Sequence, residues 1–464
     1  MLTLLDSRCR LGRRDFLKVG SLALGGLSLP GLLAARTQAS QGGRPVHDKS
    51  VIFLFLHGGP SQIETFDPKM TAPTGVCSVT GEVATSLSGV TFGSTFEKLA
   101  PLADRLAIVR SFQTGDGNHD IKPVVHTSTL GANMGSLYAR VAGANDSRTG
   151  MPTNVALFPR AVDSETMPPV EEFGKFWSTG PLGSAYAPFI PGGSGELQKS
   201  MSLEIGRDRL EDRRSLLTQL DVLQRRIDNG GLLEGTDHFQ QQAFSTILGG
   251  VASAFDLSKE DAKTIERYDT APLVRPEAIS RAWNNYERYV DNAKTLGRLL
   301  LLARRLCEAG CGFVTVTTNF VWDMHADSNN AGVDEGMQYT GRPLDHALSA
   351  YIEDVESRGL DDKILLVVTG EMGRTPKVND KGGRDHWGNL TPLLLHGGGL
   401  NMGQVIGQSS RNAGEPASEP LGNGHLLATI MHSLLDVGEV RIQRDLPTDV
   451  ARAISTHEPI PGLF

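Results

Sequence analysis

Six short apolar runs, separated by stretches with helical spacing, limit the fold of this chain more than any other feature. Runs of this length, bounded by polar or glycine-rich loops, are typical of buried strands, and the longer amphipathic stretches between them predict helices. The clearest helical stretches are 296–308, 343–358 and 424–435. The six runs lie at 49–56, 104–110, 153–158, 312–318, 363–369 and 391–396. This alternation predicts an α/β domain with a mainly parallel central sheet.

A charged, helical stretch interrupts this alternation. Residues 200–308 carry many Arg, Asp and Glu residues and contain no run that resembles a strand. We interpret the stretch as a helical insertion or cap on a single sheet domain that occupies residues 48–464. Its charge runs are also typical of solvated helix faces.

Residues 1–42 have the pattern of an export signal. Arg13 and Arg14 precede Phe-Leu-Lys, and a glycine-rich apolar stretch follows at 19–35. The arginine pair resembles a twin-arginine signal, which predicts passage through the twin-arginine translocation machinery to the periplasm or the cell exterior. An ordinary secretory signal or an N-terminal anchor is the alternative. Pro30 and the glycines interrupt the apolar stretch, so we expect no stable membrane span.

The overall charge argues against nucleic-acid binding, and the residue counts argue against a metal site made of thiolates. The 45 Lys and Arg residues against 53 Asp and Glu residues give a formal net charge of −8, so nothing in the overall charge favours nucleic acid as a partner. The chain has 12 His but only 4 Cys residues. A metal site is therefore expected to use nitrogen and oxygen ligands rather than thiolates.

Polar side chains gather where the predicted strands end. Ligands of open α/β sheets bind at the carboxyl ends of the strands, so these residues are the candidates for a site. One loop that precedes the sixth run contributes to the set as well. The candidates are His57, Ser111, His119, Asp323, His325, Glu371, Arg374, Arg384, Asp385 and His386.

The spacing of these residues favours metal binding. In an extended segment, Asp323 and His325 point to the same side and could hold one cation together. Carboxylate with imidazole suits Zn, Mn or Fe, and carboxylate alone suits Mg or Ca. Two such cations close together would polarise a phosphoryl or sulfuryl oxygen and lower the pKa of bound water. The predicted metal ligands are Asp323, His325, Glu371, Asp385 and His386.

The remaining candidates are predicted to act in catalysis or in anion binding. Arg374 and Arg384 are predicted to hold an anionic substrate through their planar guanidinium groups. His57, Ser111 and His119 are predicted catalytic residues. Each has a structural alternative, since a loop histidine is often a hydrogen-bonded surface residue. Glu371 could equally cap a helix or pair with Arg374.

Several motifs together resemble the DUF1501 family of exported bacterial proteins, which belongs by fold to the alkaline phosphatase and sulfatase superfamily. They are LFLHGGPSQIETFDPK, GNHD, WDMHAD, VVTGEMGRTPKVN, GGRDHWG and LLLHGGGLNMGQVIG. The resemblance implies an alkaline phosphatase-like three-layer sandwich with a mainly parallel central sheet. It further implies divalent metal ions, such as Zn, Mn, Mg or Ca, and a small anionic ester as substrate. An exported cytochrome-like protein is implied as a partner.

The superfamily pattern also assigns residue roles. Asp323 and His325 resemble one metal pair, and His386, with Asp385 beside it, resembles the last His ligand. His57 stands where the superfamily has its first Asp, and Glu371 stands where a later Asp ligand is usual. A nucleophile would come from Ser61, Ser111 or Thr114.

The sequence thus predicts a metal-dependent hydrolase of a phosphate or sulfate ester. This hypothesis requires convergence within metal reach of five side chains: His57, Asp323, His325, Glu371 and His386. A non-catalytic member of the fold that binds a ligand or a partner protein is the first alternative. A metal-dependent isomerase or transferase is the second.

Overall fold

A computed structural model describes residues 45–192 and 251–464, together with the backbone of residues 5–6 and 9–10. The chain divides into two compact units, Met1–Val46 and His47–Phe464. In the first unit, Leu5–Asp6 and Cys9–Arg10 pair as short antiparallel strands. Most of the predicted signal at 1–42, and residues 200–250 of the predicted helical insertion, lie outside the described residues.

Seven strands form the central sheet of the second unit, in the order Gln404–Ile406, Ala107–Val109, Leu393–Gly397, Ile364–Thr369, Ser50–Phe55, Phe313–Thr317 and Asn154–Leu157. Each of the six predicted runs forms one of them. The seventh strand escaped prediction because it has three half-buried residues and no apolar run. The strands are β1 (Ser50–Phe55), β2 (Ala107–Val109), β3 (Asn154–Leu157), β4 (Phe313–Thr317), β5 (Ile364–Thr369), β6 (Leu393–Gly397) and β7 (Gln404–Ile406).

One strand runs against the others, and this determines where the site can form. Pairs β3–β4, β4–β1, β1–β5 and β7–β2 are parallel, whereas β6 is antiparallel to both β5 and β2. The residues that precede β6 therefore lie at the same edge as the residues that follow the other strands. The predicted mainly parallel sheet is confirmed.

Helices cover both faces of the sheet. They are α1 (Met134–Ala142), α2 (Ala252–Phe255), α3 (Ala262–Tyr268), α4 (Tyr286–Glu308), α5 (Val333–Ser357), α6 (Asn423–Leu434), α7 (Val437–Ile442) and α8 (Thr448–Ser455). Short 3-10 helices are Ala100–Arg105, Thr127–Thr129, Pro159–Ala161, Gly180–Leu182, Ser184–Tyr186, Leu257–Lys259, Ala271–Leu273 and Pro276–Ala278. Two small antiparallel pairs lie outside the sheet: Glu82–Ala84 with Thr91–Gly93, and Gly373–Arg374 with His386–Trp387.

Strand alternation sorts the core into two faces. Ile52 and Leu54 of β1 belong to one buried cluster with Leu300 of α4 and Leu348 of α5. The residues between them point to the opposite face, where α6 contacts β1 and α1 contacts β3 and β4. The result is a three-layer arrangement of helices, sheet and helices, with the core on both sides of the sheet.

Helix α5 begins ten residues earlier than the sequence predicts. The prediction placed its start at Pro343, where the helical spacing of apolar residues begins. Inside a helix, proline removes a backbone hydrogen bond, so it is better tolerated in the first turn. In the structure the helix begins at Val333, and Pro343 lies inside it. Val333, Met337 and Thr340 are fully buried. Tertiary packing of this first part of the helix therefore outweighs the local cost of proline.

The described part of the predicted helical insertion, residues 251–308, is helical and contains no strand. Its longest helix, α4, packs on β1 and β4 and along α5. A buried ion network fastens it, since Arg304 lies within ion-pair distance of Glu260, Glu308 and Asp354. Among the described residues, none of the helices has the length and hydropathy that a membrane span requires.

Asp291 on α4 predicts a pH-dependent contribution to stability. Burial raises the pKa of its carboxyl from 3.8 to about 6, and the carboxylate accepts the Met167 N–H at 2.7 Å. Because the folded-state pKa lies above the unfolded value, ionisation between these pH values lowers stability as the pH rises. Asp291→Asn keeps an acceptor without the charge, so we expect it to be more stable than the parent at pH 7 by about 1–3 kcal/mol. Urea unfolding at pH 7 and pH 4 measures this; an equal gain at both pH values would contradict it.

Candidate metal centre

Four side chains from three loops converge at the edge of the sheet where β2 and β4 end and β6 begins. They are His119, Asp323, His325 and His386, and one ligand atom of each lies within 4.8 Å of the others. His119 follows β2, Asp323 and His325 follow β4, and His386 precedes β6. Antiparallel β6 is the reason that a residue before a strand meets residues after strands. These four side chains form a candidate metal-binding group.

The distances within this group suit a single cation. Asp323 Oδ1 lies 3.0 Å from His325 Nε2, 3.3 Å from His386 Nε2 and 3.4 Å from His119 Nε2. His325 Nε2 and His386 Nε2 are 2.8 Å apart. Ligand atoms about 2.0–2.1 Å from a tetrahedral cation are separated by roughly 3.3 Å. The three imidazole nitrogens and the carboxylate oxygen are therefore spaced as ligands of one ion.

Carboxylates hold the outward nitrogens of two of the histidines. His119 Nδ1 lies 2.9 Å from Glu371 Oε1, and His325 Nδ1 lies 3.1 Å from Asp385 Oδ1. Metal-ligating histidines commonly donate their other ring N–H to a carboxylate, which fixes the tautomer and the ring orientation. Glu371 is itself fixed, since it accepts the Gly58 N–H at 2.8 Å. Glu371 and Asp385 thus contact the ligands rather than join the group of four.

The electrostatics keep Asp323 ionised. Burial raises its pKa, but the Arg374 charge and the hydrogen bonds from the three histidines outweigh burial and hold the pKa well below its usual range. Burial lowers the pKa of His119, but its hydrogen bonds to Asp323 and Glu371 outweigh burial, so the pKa is raised overall. The side chain of His386 is 34 % exposed and that of His325 is 21 % exposed, so solvent and small molecules reach the group.

The profile of a family described as "Protein of unknown function (DUF1501)" matches residues 48–440, which is most of the chain. The chain belongs to the DUF1501 family. No curated protein matches it. The family assignment confirms the resemblance found in the sequence motifs.

Solved structures similar to this DUF1501 chain are enzymes of the sulfatase and alkaline phosphatase type. A sulfatase from Pseudoalteromonas sp. is 11% identical with a TM-score of 0.35, and the match covers 86% of this chain and 69% of that one. A lipoteichoic acid synthase from Listeria monocytogenes is 10% identical with a TM-score of 0.34, over 88% and 75% of the two chains. A phosphonate monoester hydrolase of Agrobacterium radiobacter is 11% identical with a TM-score of 0.32, over 83% and 74%. At these values the likeness does not decide activity, which has to be argued from the site.

Arg374 lies inside the candidate centre of the DUF1501 chain, but its donors are already engaged. Its guanidinium donates to Asp323 Oδ1 at 2.6 Å and to the backbone carbonyls of Gly58, Gly59 and Arg384. The side chain is 1% exposed. This geometry orients Asp323. It leaves no free planar face for an anionic ester, so the anion-binding role that the sequence predicted for Arg374 finds no support.

Arg384 lies apart from the group and has a different partner. It pairs with Glu64 at 2.7 Å, and both side chains are completely buried. Its remaining N–H groups donate to backbone carbonyls at Val76, Cys77, Thr375 and Pro376. The predicted anion-binding role of Arg384 finds no support, because all its donors join loops of the protein to one another.

His57 does not join the candidate ligands. It is 1% exposed, and neither ring nitrogen has a hydrogen-bond partner among the described residues. Its ring packs against those of Phe55, Phe173, Phe176 and Phe320. Burial lowers its pKa to about 4, so the ring is neutral at pH 7. The convergence that the sequence hypothesis required is therefore incomplete, because His57 and Glu371 lie outside the group. It holds for Asp323, His325 and His386, and His119 is the fourth member.

The predicted nucleophiles have contacts away from the group. The Ser111 hydroxyl is buried, has no partner among the described residues and lies against Gly407. Thr114 lies 3.1 Å from the Thr391 hydroxyl. Ser61 accepts the backbone N–H groups of Ile63 and Glu64. None of the three contacts a candidate ligand in the part of the chain that the structure describes.

Two glycines allow the loops to approach closely enough for the group to form. Gly58 has φ +116°, and a Cβ there would lie 2.6 Å from the Asp323 backbone nitrogen. At Gly388 a Cβ would lie within 2.4 Å of the Asp116 backbone. Neither position tolerates a side chain without moving the loops that carry Asp323 and His119.

Sequence reasoning missed the residue that fixes the His119 loop. Lys122 is 1% exposed, and its ammonium contacts Asp116 at 2.6 Å, Asp120, and the Asn118 carbonyl at 3.0 Å. These contacts fold the loop around His119 and present its imidazole to Asp323. The signal available in the sequence was the run DGNHDIK, in which carboxylates flank a His and a Lys follows.

Proposed function

We propose that this protein is a metal-dependent hydrolase of a phosphate or sulfate ester. One observation carries the proposal: three imidazole Nε2 atoms and one carboxylate oxygen converge, and carboxylates hold the outer nitrogens of two of these rings. This arrangement is typical of a metal centre rather than of a chance cluster of polar residues. A divalent cation there would supply Lewis-acid chemistry that polarises an ester oxygen and acidifies water.

The donor set narrows the metals that we expect. Mg and Ca prefer oxygen ligands, whereas three imidazoles with one carboxylate suit Zn, Mn or Fe. His119, Asp323, His325 and His386 would hold the ion. Glu371 and Asp385 would orient His119 and His325, and Arg374 would orient Asp323.

The surroundings of the group favour water over a side chain as the nucleophile. Among the described residues, no serine, threonine or cysteine side chain is hydrogen-bonded to the four candidate ligand side chains. A hydrolysis that needs no covalent enzyme intermediate fits this arrangement.

A direct experiment combines metal analysis with ester assays. Protein purified without chelators is analysed for Zn, Mn and Fe, and then assayed with p-nitrophenyl phosphate, its diester, p-nitrophenyl sulfate and a phosphonate monoester. We expect about one ion per chain and turnover of at least one ester that a chelator removes and added metal restores. Absence of bound metal, together with unchanged thermal unfolding on adding Zn or Mn, would reject the proposal.

A non-catalytic, ligand- or partner-binding protein is the second candidate, and one observation favours it. Four protein ligands can complete a tetrahedral shell, and closed four-ligand sites are typical of structural zinc. This candidate predicts stoichiometric metal, strong stabilisation by metal and no turnover of any ester on the panel. The assays above therefore separate the two candidates.

Glu371→Gln tests whether the carboxylate behind His119 supports metal binding. The amide keeps the size of Glu371 but loses the charge that fixes His119 Nδ1. Because such partners tune their ligands, we expect about 10–100-fold weaker metal binding with little change in fold. Competition with a chromogenic chelator measures the affinity. Glu353→Gln, an exposed position on α5, is the control, and an unchanged affinity in Glu371→Gln would contradict the expectation.

Export is part of this proposal. The Arg13-Arg14 pair and the apolar stretch that follows it support a site of action in the periplasm or outside the cell, reached through the twin-arginine machinery. A small anionic ester is the proposed substrate, and an exported cytochrome-like protein stays a proposed partner.

A further inference from the structure

Arg288, in the first turn of α4, is a half-buried cation without a carboxylate partner among the described residues. Its guanidinium carbon lies 5.6 Å from the centre of the Phe320 ring. Burial lowers its pKa, and the charge of Glu172 only partly offsets that effect. No ion pair of Arg288 with any described residue accompanies this ring contact. A desolvated guanidinium in this state gains by binding an anion.

One phenyl ring separates this guanidinium from the candidate metal group. The Phe320 ring centre lies 4.9 Å from that of His119, a candidate ligand, and Phe173 stacks on Phe320 at 4.6 Å. Phe320 and the preceding Asn319 both have positive φ, at 61° and 63°. Such conformations are strained for residues other than glycine. The end of β4 thus holds Phe320 between Arg288 and His119.

Three other cations of this region already have carboxylate partners. Arg374 donates to Asp323 and to backbone carbonyls, and Arg384 is buried against Glu64. Lys122 is enclosed by Asp116 and Asp120. Among the described arginines that contact the group or a ring packed on it, Arg288 has no hydrogen bond or ion pair, whereas Arg374 has several.

The formal charges around the group indicate that binding of an anionic ester requires one more positive group. Asp323, Glu371 and Asp385 contribute three formal negative charges, and Arg374 contributes one positive charge. A divalent cation would bring the sum to zero. An anionic ester would then make the site negative, unless a further positive group lies beside it.

We propose that Arg288 is the anion-recognition residue of this site and binds the negatively charged group of the phosphate or sulfate ester. The inference rests on the proposed function, because it takes the ester to be bound beside the metal group. Phe320 supports the arginine stem and its guanidinium, and the half-exposed position lets the side chain turn towards a bound anion.

Binding of inorganic phosphate and inorganic sulfate tests this directly. Both anions are titrated calorimetrically into the parent, Arg288→Ala and Arg288→Lys, each with and without Zn or Mn. Arg281→Ala is the matched control, since Arg281 also lies 5.6 Å from an aromatic ring, that of Tyr286, which has no ring contact with the metal group. Metal content is measured on every variant.

We expect Arg288→Ala to bind metal as the parent does but to bind the preferred anion about tenfold or more weakly. Arg288→Lys should fall between the two, and Arg281→Ala should match the parent. Equal anion binding in the parent and Arg288→Ala, or no anion binding by the parent, would overturn the inference. If the parent holds no metal, the proposed function fails. An anion affinity that still depends on Arg288 without metal would then support the anion site by itself.

Discussion

Replacing Asp323 with alanine is expected to abolish metal binding, with an affinity about 100-fold or more below that of the parent. Oδ1 of this carboxylate is the atom on which His119, His325 and His386 converge. Alanine removes the anionic ligand and leaves three imidazoles beside the Arg374 guanidinium. The loss should exceed that of Glu371→Gln, since Glu371 contacts a ligand and Asp323 is one of the four.

Asp323→Ala will also affect the fold, and the experiment has to separate the two effects. Arg374 is buried and donates to Asp323 at 2.6 Å, so removal of the carboxylate leaves a buried cation whose partners are backbone carbonyls and the His325 ring, without an anion. Loss of one partner of a buried pair costs about 3–5 kcal/mol. Asp323→Asn keeps an oxygen that accepts from Arg374 and is the milder variant.

Metal stoichiometry at saturation and circular dichroism are measured on both variants and on Asp380→Asn, an exposed carboxylate five residues before Asp385. Folded Asp323→Asn that binds no metal, beside an unchanged Asp380→Asn, would support the metal centre. Parent-like metal affinity in either Asp323 variant would reject it.

Arg384→Met is expected to lower the free energy of unfolding by about 3–5 kcal/mol. The substitution strands Glu64, whose side chain is fully buried and whose oxygens otherwise accept from Arg384, Ser78 and Val79. The loss should be one of stability alone. Metal affinity measured well below the unfolding transition should stay close to that of the parent.

A double substitution identifies the cause. Glu64→Gln with Arg384→Met removes both charges, so it should recover part of the loss that Arg384→Met alone produces. Arg411→Met, at an exposed position, is the control for the loss of an arginine. Denaturant unfolding of the parent, Arg384→Met, Glu64→Gln, the double variant and Arg411→Met measures the coupling between the two charges. A stable Arg384→Met that has lost anion binding would restore the anion-binding role predicted from sequence.

The strands were predictable because their signal is local. A buried parallel strand has apolar residues on both faces, so KSVIFLFL and KILLVVT identify β1 and β5 without any knowledge of their neighbours. The three-residue β7 carries no such run. The start of α5 could not be read from its own residues, because burial of Val333 and Met337 against the rest of the molecule outweighs Pro343.

The position of the candidate site was also predictable from the sequence, but the role of each residue within it was not. Polar residues at strand ends indicated the edge of the sheet where the four side chains of the candidate group converge. Sequence reasoning nevertheless placed Glu371 among the ligands and His119 among the catalytic residues. The structure brings His119 into the group and sets Glu371 behind it, although 252 residues separate the two along the chain.

The sequence by itself determined the family, the α/β class and the set of polar residues at one edge of the sheet. Only the tertiary structure decided which atoms meet, because the direction of β6, the Lys122 contacts and the close approach at Gly58 and Gly388 set those distances. The tertiary structure also pairs Arg374 with Asp323 and Arg384 with Glu64. It leaves Arg288 without a carboxylate partner among the described residues. Periodicity and burial are properties of a short segment, whereas coordination depends on distances between atoms of segments far apart in the chain.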